Sequence, residues 1–181
     1  MMKNILFAFV CIALSISFAF AQDEKLKIPS NQIETKRAEM KKLDNWIGNW
    51  KGSGWIQQGK EKENFVGSEI VQRKLDGLGL LVEGNFKNKE GVVIHETLAV
   101  LTFNPKTKNY DFDTFLANGN NGKHELKALV DGWQWGLQFP GGSMRYTTKL
   151  TADEWSEIGE ISMDDGKTWR KFFEMQLQKV K

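Results

Sequence analysis

The sequence predicts an all-β protein, a single antiparallel up-and-down β-barrel of about ten strands with a short N-terminal helix. Helical periodicity stops after Asp44. From there to the end of the chain, strand-length segments alternate with short turns that contain Gly, Asn, Asp or Pro. No later segment supplies helices for a second layer, and closing the sheet removes its exposed edges. A two-sheet sandwich is the alternative architecture.

A helix is predicted for residues 31–43. Asn31 is placed to cap its first turn, and Ile33, Met40 and Leu43 recur at helical spacing on one face. The pattern therefore predicts one short helix in front of the first strand.

The predicted strands are separated by residues that tolerate tight or left-handed turns, such as Asp76-Gly77 and Asp131-Gly132. Because these turns are short, consecutive strands should pair as antiparallel hairpins. The strands are expected near residues 46–57, 63–75, 78–87, 92–103, 109–117, 123–130, 132–139, 143–150, 154–163 and 168–179.

The strand at 132–139 alternates most clearly, with a large apolar residue at every second position. This face is expected to line the barrel interior, where aromatic side chains can surround a small molecule. The predicted lining residues are Trp133, Trp135, Leu137, Phe139, His95 and Phe173.

In the last strand one parity is apolar, and Lys171 is its single charged exception. The apolar residues of that parity are Trp169, Phe173, Met175 and Leu177.

Residues 1–21 are predicted to be a signal peptide. Lys3 supplies the positive start, residues 5–20 form an apolar run, and Ala19-Phe20-Ala21 fits the small-x-small cleavage pattern. Cleavage is expected before Gln22. An uncleaved membrane anchor is the less favoured alternative, because the run is short and leads directly into polar residues.

The predicted organisation is therefore a signal peptide (1–21), a polar segment (22–30) and a barrel domain with its helix (31–181). The protein is expected to be exported to the periplasm or secreted, with no transmembrane segment after cleavage.

Composition excludes several partners and chemistries. The chain has 25 Lys+Arg against 23 Asp+Glu, scattered along its length, so no nucleic-acid partner is predicted. Its one cysteine, Cys11, lies in the signal peptide, which leaves no disulfide or thiol chemistry. The seven tryptophans require a large apolar interior. The sequence leaves the oligomeric state open.

The first strand carries a Gly-x-Trp-x-Gly-x-Gly motif at Gly48, Trp50, Gly52 and Gly54. A Gly-x-Trp after a short helix resembles the calycin-type barrels of the lipocalins, and the fuller motif is similar to nitrobindin and its uncharacterised bacterial relatives. Residues 103–110 resemble a hairpin between the middle strands of those relatives.

The resemblance implies a structural role for the four residues of this motif. Trp50 would close one end of the barrel against an arginine from a late strand, either Arg170 or Arg145. A Trp–Arg stack of this kind contributes about 1 kcal/mol beyond packing.

Nitrobindin-like barrels also imply a haem held by a histidine near the C-terminal end. This chain has no histidine there, and its two histidines are His95 and His124. A lone histidine in a strand is more often a hydrogen-bonded wall residue than a ligand, so neither a metal site nor a cofactor is predicted. Haem stays open as an alternative that rests on the resemblance.

Residues 162–169 match the Asp-box pattern Ser-x-Asp-x-Gly-x-Thr-Trp, which recurs in sialidase-like propellers. A single copy predicts a β-turn between the last two strands, with structural roles for Asp164, Gly166 and Trp169.

No catalytic residue is predicted. The chain after residue 21 lacks cysteine and a Gly-x-Ser-x-Gly elbow, and its histidines are not spaced for zinc. Paired carboxylates of the glycosidase kind stay open, although charges along a strand usually face solvent. The candidates are Glu69, Glu83, Glu96, Asp111 and Asp113.

Three functions follow from these observations. The first is a calycin-like barrel that binds a small apolar or amphipathic molecule in its interior. The second is a haem enzyme of the nitrobindin kind acting on nitrogen oxides. The third is an envelope-associated interaction protein whose barrel core is solid.

Overall fold

The structure is a computed structural model that describes residues 30–181. The predicted signal peptide and most of the predicted polar segment lie outside the described residues. The predicted fold class is confirmed: ten antiparallel strands form one closed barrel, preceded by a short helix. Each strand pairs with the next along the chain, and the last strand pairs with the first.

Helix α1 spans Ser30–Lys41, and a 3₁₀ turn follows at Asp44–Trp46. A second 3₁₀ turn lies at Leu75–Gly77. The strands are β1 Gly48–Gln58, β2 Glu61–Lys74, β3 Gly79–Asn88, β4 Val93–Asn104, β5 Asn109–Leu116, β6 Asn121–Leu129, β7 Gly132–Phe139, β8 Gly142–Leu150, β9 Glu154–Ser162 and β10 Arg170–Lys179.

Helix α1 lies across one end of the barrel. Met40 and Leu43 are fully buried, and Ile33 on the same face is half-buried. Arg37 donates to the carboxylate of Asp76 at 2.7 Å, which ties the helix to the connection between β2 and β3. Asn31 does not cap the helix as predicted, because the helix already begins at Ser30.

Four tryptophans fill the barrel beneath this helix and form what we call the tryptophan plug: Trp46, Trp50, Trp133 and Trp155. Ring centroids lie 5.1 Å apart for Trp46 and Trp155, and 5.7 Å apart for Trp50 and Trp155. The indole of Trp50 donates to the Trp46 carbonyl at 2.8 Å. Tilted and edge-on contacts of this kind add to apolar burial, so the plug closes this end firmly.

The cation over Trp50 is a lysine, which corrects the predicted arginine partner. Lys179 is in register with Trp50, and its ammonium lies 4.9 Å from the indole centroid. Gly48 leaves room for it, since a Cβ there would fall 2.5 Å from Lys179 Cε. Arg145 instead lies over Trp169, and Arg170 is exposed. Both arginines stand near the opposite end of the barrel, too far along their strands to reach Trp50.

A β-bulge between Lys171 and Phe173 changes the predicted parity of the last strand. The extra residue, Phe172, is buried, while Lys171 is exposed. Trp169 lies before the strand and does not share its apolar face. The bulge therefore explains why a charged residue interrupts the apolar pattern.

Candidate functional site

The barrel encloses a cavity of about 300 Å³ above the tryptophan plug. This volume lies at the lower end of the range of small-molecule sites, roughly 300 to 1,000 Å³. The opposite end, which we call the mouth, is formed by the connections that follow β1, β3, β5, β7 and β9. His95 lines the cavity and is exposed, so the cavity meets solvent at the mouth. A hollow interior does not fit the solid-core alternative.

Four of the six predicted lining residues contribute to this cavity, namely Trp135, Leu137, His95 and Phe173. Trp133 lies lower and belongs to the plug, 5.3 Å from the ring of Tyr110. Phe139 ends β7 near Gly142 and is not part of the lining. Because β7 runs from the plug to the mouth, only its middle residues reach the cavity.

An aromatic wall covers one side of the cavity. Trp135 stacks on Tyr146 with centroids 4.2 Å apart and rings nearly parallel, and Phe112 meets Trp135 edge-on at 5.1 Å. Phe173 packs edge-on against Tyr146 and stacks with Phe65. The wall is therefore preformed and large enough to contact a flat apolar molecule.

The buried carboxyl of Glu69 enters the cavity from β2 and is only 6% exposed. It lies in register with Gly84, where a Cβ would come within 2.8 Å of Glu69 Oε1. Glycine at this position therefore makes room for the carboxyl. Among the described residues, Glu69 Oε2 has no hydrogen-bond partner. Burial, together with the charge of Glu157, raises the pKa of Glu69 to about 8.

Glu157 enters the same cavity from β9. Thr148 donates its hydroxyl hydrogen to Glu157 at 2.7 Å. Burial raises the pKa of Glu157, and the bond from Thr148 opposes this effect. The Glu157 side chain is half-buried. Because it lines the cavity, we infer that its accessible surface faces the cavity. The site therefore contains two carboxyls, and the charge of Glu157 acts on Glu69.

The two histidines occupy different positions in the cavity wall. His124 Nε2 lies 3.1 Å from the Thr114 hydroxyl, and its ring packs 5.1 Å from Trp135. Burial lowers the pKa of His124, while a hydrogen bond with the Gly136 backbone and the charge of Asp113 act to raise it. His95 is exposed at the mouth, yet enough of the wall surrounds it that burial also lowers its pKa. Both imidazoles are therefore biased towards the neutral form.

The Asp-box turn lies at the mouth, with its acidic group fully engaged inside the turn. Asp164 accepts hydrogen bonds from the Thr168 backbone at 2.8 Å and hydroxyl at 2.6 Å, and from the Ser162 hydroxyl at 2.8 Å. These bonds lower the pKa of Asp164 to about 2. The Trp169 indole donates to the carbonyl of Gly166 at 3.0 Å. The geometry gives Asp164, Gly166 and Trp169 structural roles.

Sequence reasoning placed Glu69 among five acidic candidates but did not find its partner Glu157. Of the other four, Glu83, Glu96 and Asp111 are exposed and Asp113 is half-buried. The available signal for Glu157 was its parity with the buried Trp155, two residues earlier in the same strand. Tyr146 and Thr114 were also missed, because their strands show no clear alternation.

The class of protein defined by this fold and site is a closed antiparallel β-barrel with an internal cavity that contains two carboxyls. No protein-family model matches the chain, and no curated protein matches it. Among solved structures, the chain is similar to the crystal structure of Rv2717c from M. tuberculosis, with a TM-score of 0.59 and 10% identity. The match covers 79% of this chain and 98% of that chain. At this identity the likeness concerns the fold alone.

Two features are absent from residues 30–181. None of the helices in this part of the chain has the length and apolar character needed to cross a membrane. Within the same residues, no group of three or more His, Cys, Asp or Glu side chains is placed to hold a metal ion.

Proposed function

We propose that the protein is an exported calycin-like barrel that binds a small apolar or amphipathic molecule in its interior. The observation that carries the proposal is the cavity above the tryptophan plug, which is hollow, walled by aromatic rings and in contact with solvent at the mouth. Concave apolar sites with a few convergent polar groups are the usual form of a small-molecule site. Burial of an apolar ligand surface would supply the affinity.

A cavity-filling substitution tests this proposal. Ala99 is buried and lines the cavity, so Ala99→Phe should lower the affinity for a neutral probe such as 2-phenylethanol by about tenfold or more. Binding can be followed by tryptophan fluorescence, since Trp135 lies in the wall. Leu98→Phe is the matched control, because Leu98 is exposed on the opposite face of the same strand.

The folded state of both variants is checked by circular dichroism, since overpacking a barrel interior costs about 1–3 kcal/mol. Unchanged probe affinity in a folded Ala99→Phe protein would place binding outside the cavity and overturn the proposal.

Export is the second part of the proposal, and it is supported by the signal-peptide pattern of residues 1–21. Intact mass spectrometry of the protein recovered from the periplasm or medium of a bacterial host should give a chain that begins at Gln22. Ala21→Arg removes the small residue before the cleavage site and should block this processing. Recovery of the uncleaved wild-type chain from the cytoplasm would contradict export.

The residues present do not fit the haem implied by the resemblance to nitrobindin. His124 Nε2 already contacts the Thr114 hydroxyl, and its ring is enclosed by Trp135 and Phe112. His95 stands at the mouth against Phe86 rather than deep in the cavity. β10 contributes Phe173 to the cavity and carries no histidine. The cavity therefore suits an organic ligand better than a haem.

A further inference from the structure

We propose that the ligand is a small organic amine whose ammonium group is held by Glu69 and Glu157 and whose apolar body packs against the aromatic wall. This inference rests on the proposed function, because it names the class of molecule that the same cavity takes. It is carried by the charge and hydrogen-bonding capacity of the lining.

The cavity has acidic groups without basic partners. Glu69 and Glu157 line it, and no lysine or arginine stands among the lining residues that the structure describes. The two histidines in the wall are biased towards the neutral form. A buried carboxylate is costly unless it is paired, so in the empty barrel Glu69 keeps its proton up to about pH 8, and a cation bound in the cavity would favour its ionised form. A protonated amine is such a cation.

The hydrogen-bonding capacity of the two carboxyls also fits an ammonium group. Thr148 donates a hydrogen bond to Glu157, and the Trp155 indole also lowers the pKa of that carboxyl. Glu69 Oε2 takes no bond from the described residues. An alkylammonium carries several donors and no acceptor, so it matches carboxylate oxygens that await donors. Both carboxyls line the same cavity, and the charge of Glu157 acts on Glu69.

The aromatic wall suits the rest of such a ligand. Trp135, Tyr146 and Phe173 form a continuous aromatic surface in the same cavity as the carboxyls. Aromatic faces attract cations, and the attraction grows when the cation is removed from water. A neutral ligand that offers only acceptors could accept from the buried indole N–H groups of Trp46 and Trp155, but it would leave Glu69 Oε2 without a donor.

Three probes of nearly the same shape distinguish these ligand classes: 2-phenylethylamine, 2-phenylethanol and 3-phenylpropanoate. At about pH 8, isothermal titration calorimetry should give an affinity for the amine at least about tenfold above that for the alcohol, with the carboxylate weakest. Equal affinity for amine and alcohol would overturn the amine proposal and leave the binding function standing. Absence of binding by all three would overturn both.

Substitution of each carboxyl provides the second readout. Glu157→Gln and Glu69→Gln keep the side-chain shape, and each should weaken amine binding about tenfold or more while leaving 2-phenylethanol within about twofold. Glu83→Gln is the matched control, since Glu83 is exposed on β3, the strand next to Glu69, and should change neither affinity. Amine binding that survives both cavity substitutions in folded protein would contradict the proposal.

The pH dependence of amine binding is a further test, because a carboxyl with only a structural role would not produce it. The titratable groups that share the cavity with Glu69 are Glu157, Tyr146, His95 and His124. Because the amine binds the ionised carboxyls, its affinity in the wild-type protein should rise by up to about tenfold per pH unit from about pH 6 to about pH 8. Glu69→Gln should flatten this rise, and an identical profile in that variant would exclude Glu69 from the amine site.

Discussion

Gly52→Ala should destabilise the barrel by about 3 kcal/mol or more, because the new methyl group has no space. A Cβ at residue 52 would lie 2.1 Å from the backbone oxygen of Gln176 and 2.8 Å from the Cα of Leu177. Both atoms belong to the backbone of β10, so the clash cannot be relieved by turning a side chain. The two strands would have to separate at the point where the barrel closes.

Guanidinium denaturation followed by tryptophan fluorescence measures this effect as a loss of unfolding free energy. Gly79→Ala is the matched control. Gly79 is likewise a strand glycine and is buried, but the nearest atom to an added Cβ there lies at 3.5 Å, an ordinary van der Waals distance. Equal stability of the two variants would show that β1 and β10 are not packed this tightly.

Glu69→Gln should stabilise the ligand-free protein relative to wild type, by an amount that grows from about pH 5 to about pH 8 and reaches at most about 5 kcal/mol. The pKa of Glu69 rises on folding from its usual value of 4.5 to about 8. A carboxyl with a raised pKa holds its proton more tightly in the folded state. Its contribution to stability is therefore complete below about pH 4.5 and is lost as the pH rises through about 8.

The measurement is the unfolding free energy of wild type and Glu69→Gln between about pH 5 and about pH 9. The two histidines change the unfolding free energy in the opposite direction. Because their pKa values are lowered on folding, they reduce stability only as the pH falls below about 6.5. The stability of Glu69→Gln relative to wild type should therefore grow from about pH 5 to about pH 8 and level off above that. Parallel curves would mean that Glu69 is not a buried acid, and Glu83→Gln should follow wild type throughout.

Most of the fold could be predicted from the sequence, because the turn residues between strands are local signals. The hairpins at Asp76-Gly77 and Asp131-Gly132 fixed the strand order, and ten antiparallel strands followed. The bulge after Lys171 could not be predicted in this way, since it depends on the fit between β9 and β10. The lysine over Trp50 depends likewise on the register of the closing strands.

The candidate site was predicted less completely than the fold. The alternation of β7 pointed to an aromatic interior, and Trp135 and Leu137 line the cavity. It could not show which part of a strand lies beside the plug and which beside the cavity, so Trp133 was grouped with them. Whether Glu69 and Glu157 point into the barrel depends on the register of different hairpins. A charged residue within a strand usually lies on the solvent-exposed face, so the sequence pattern did not place them in the interior.

The pairing of β1 with β10 has a consequence for how the chain reaches its folded state. Gly52 finds its partner Leu177 only after every intervening hairpin has been synthesised. Hairpins can form from neighbouring residues, but closure joins segments far apart in the chain, a slow type of contact. Until then β1 presents an unpaired edge that can associate with other chains. We therefore expect ring closure to be a late and aggregation-sensitive step in folding, and a chain cut short before β10 would keep that edge open.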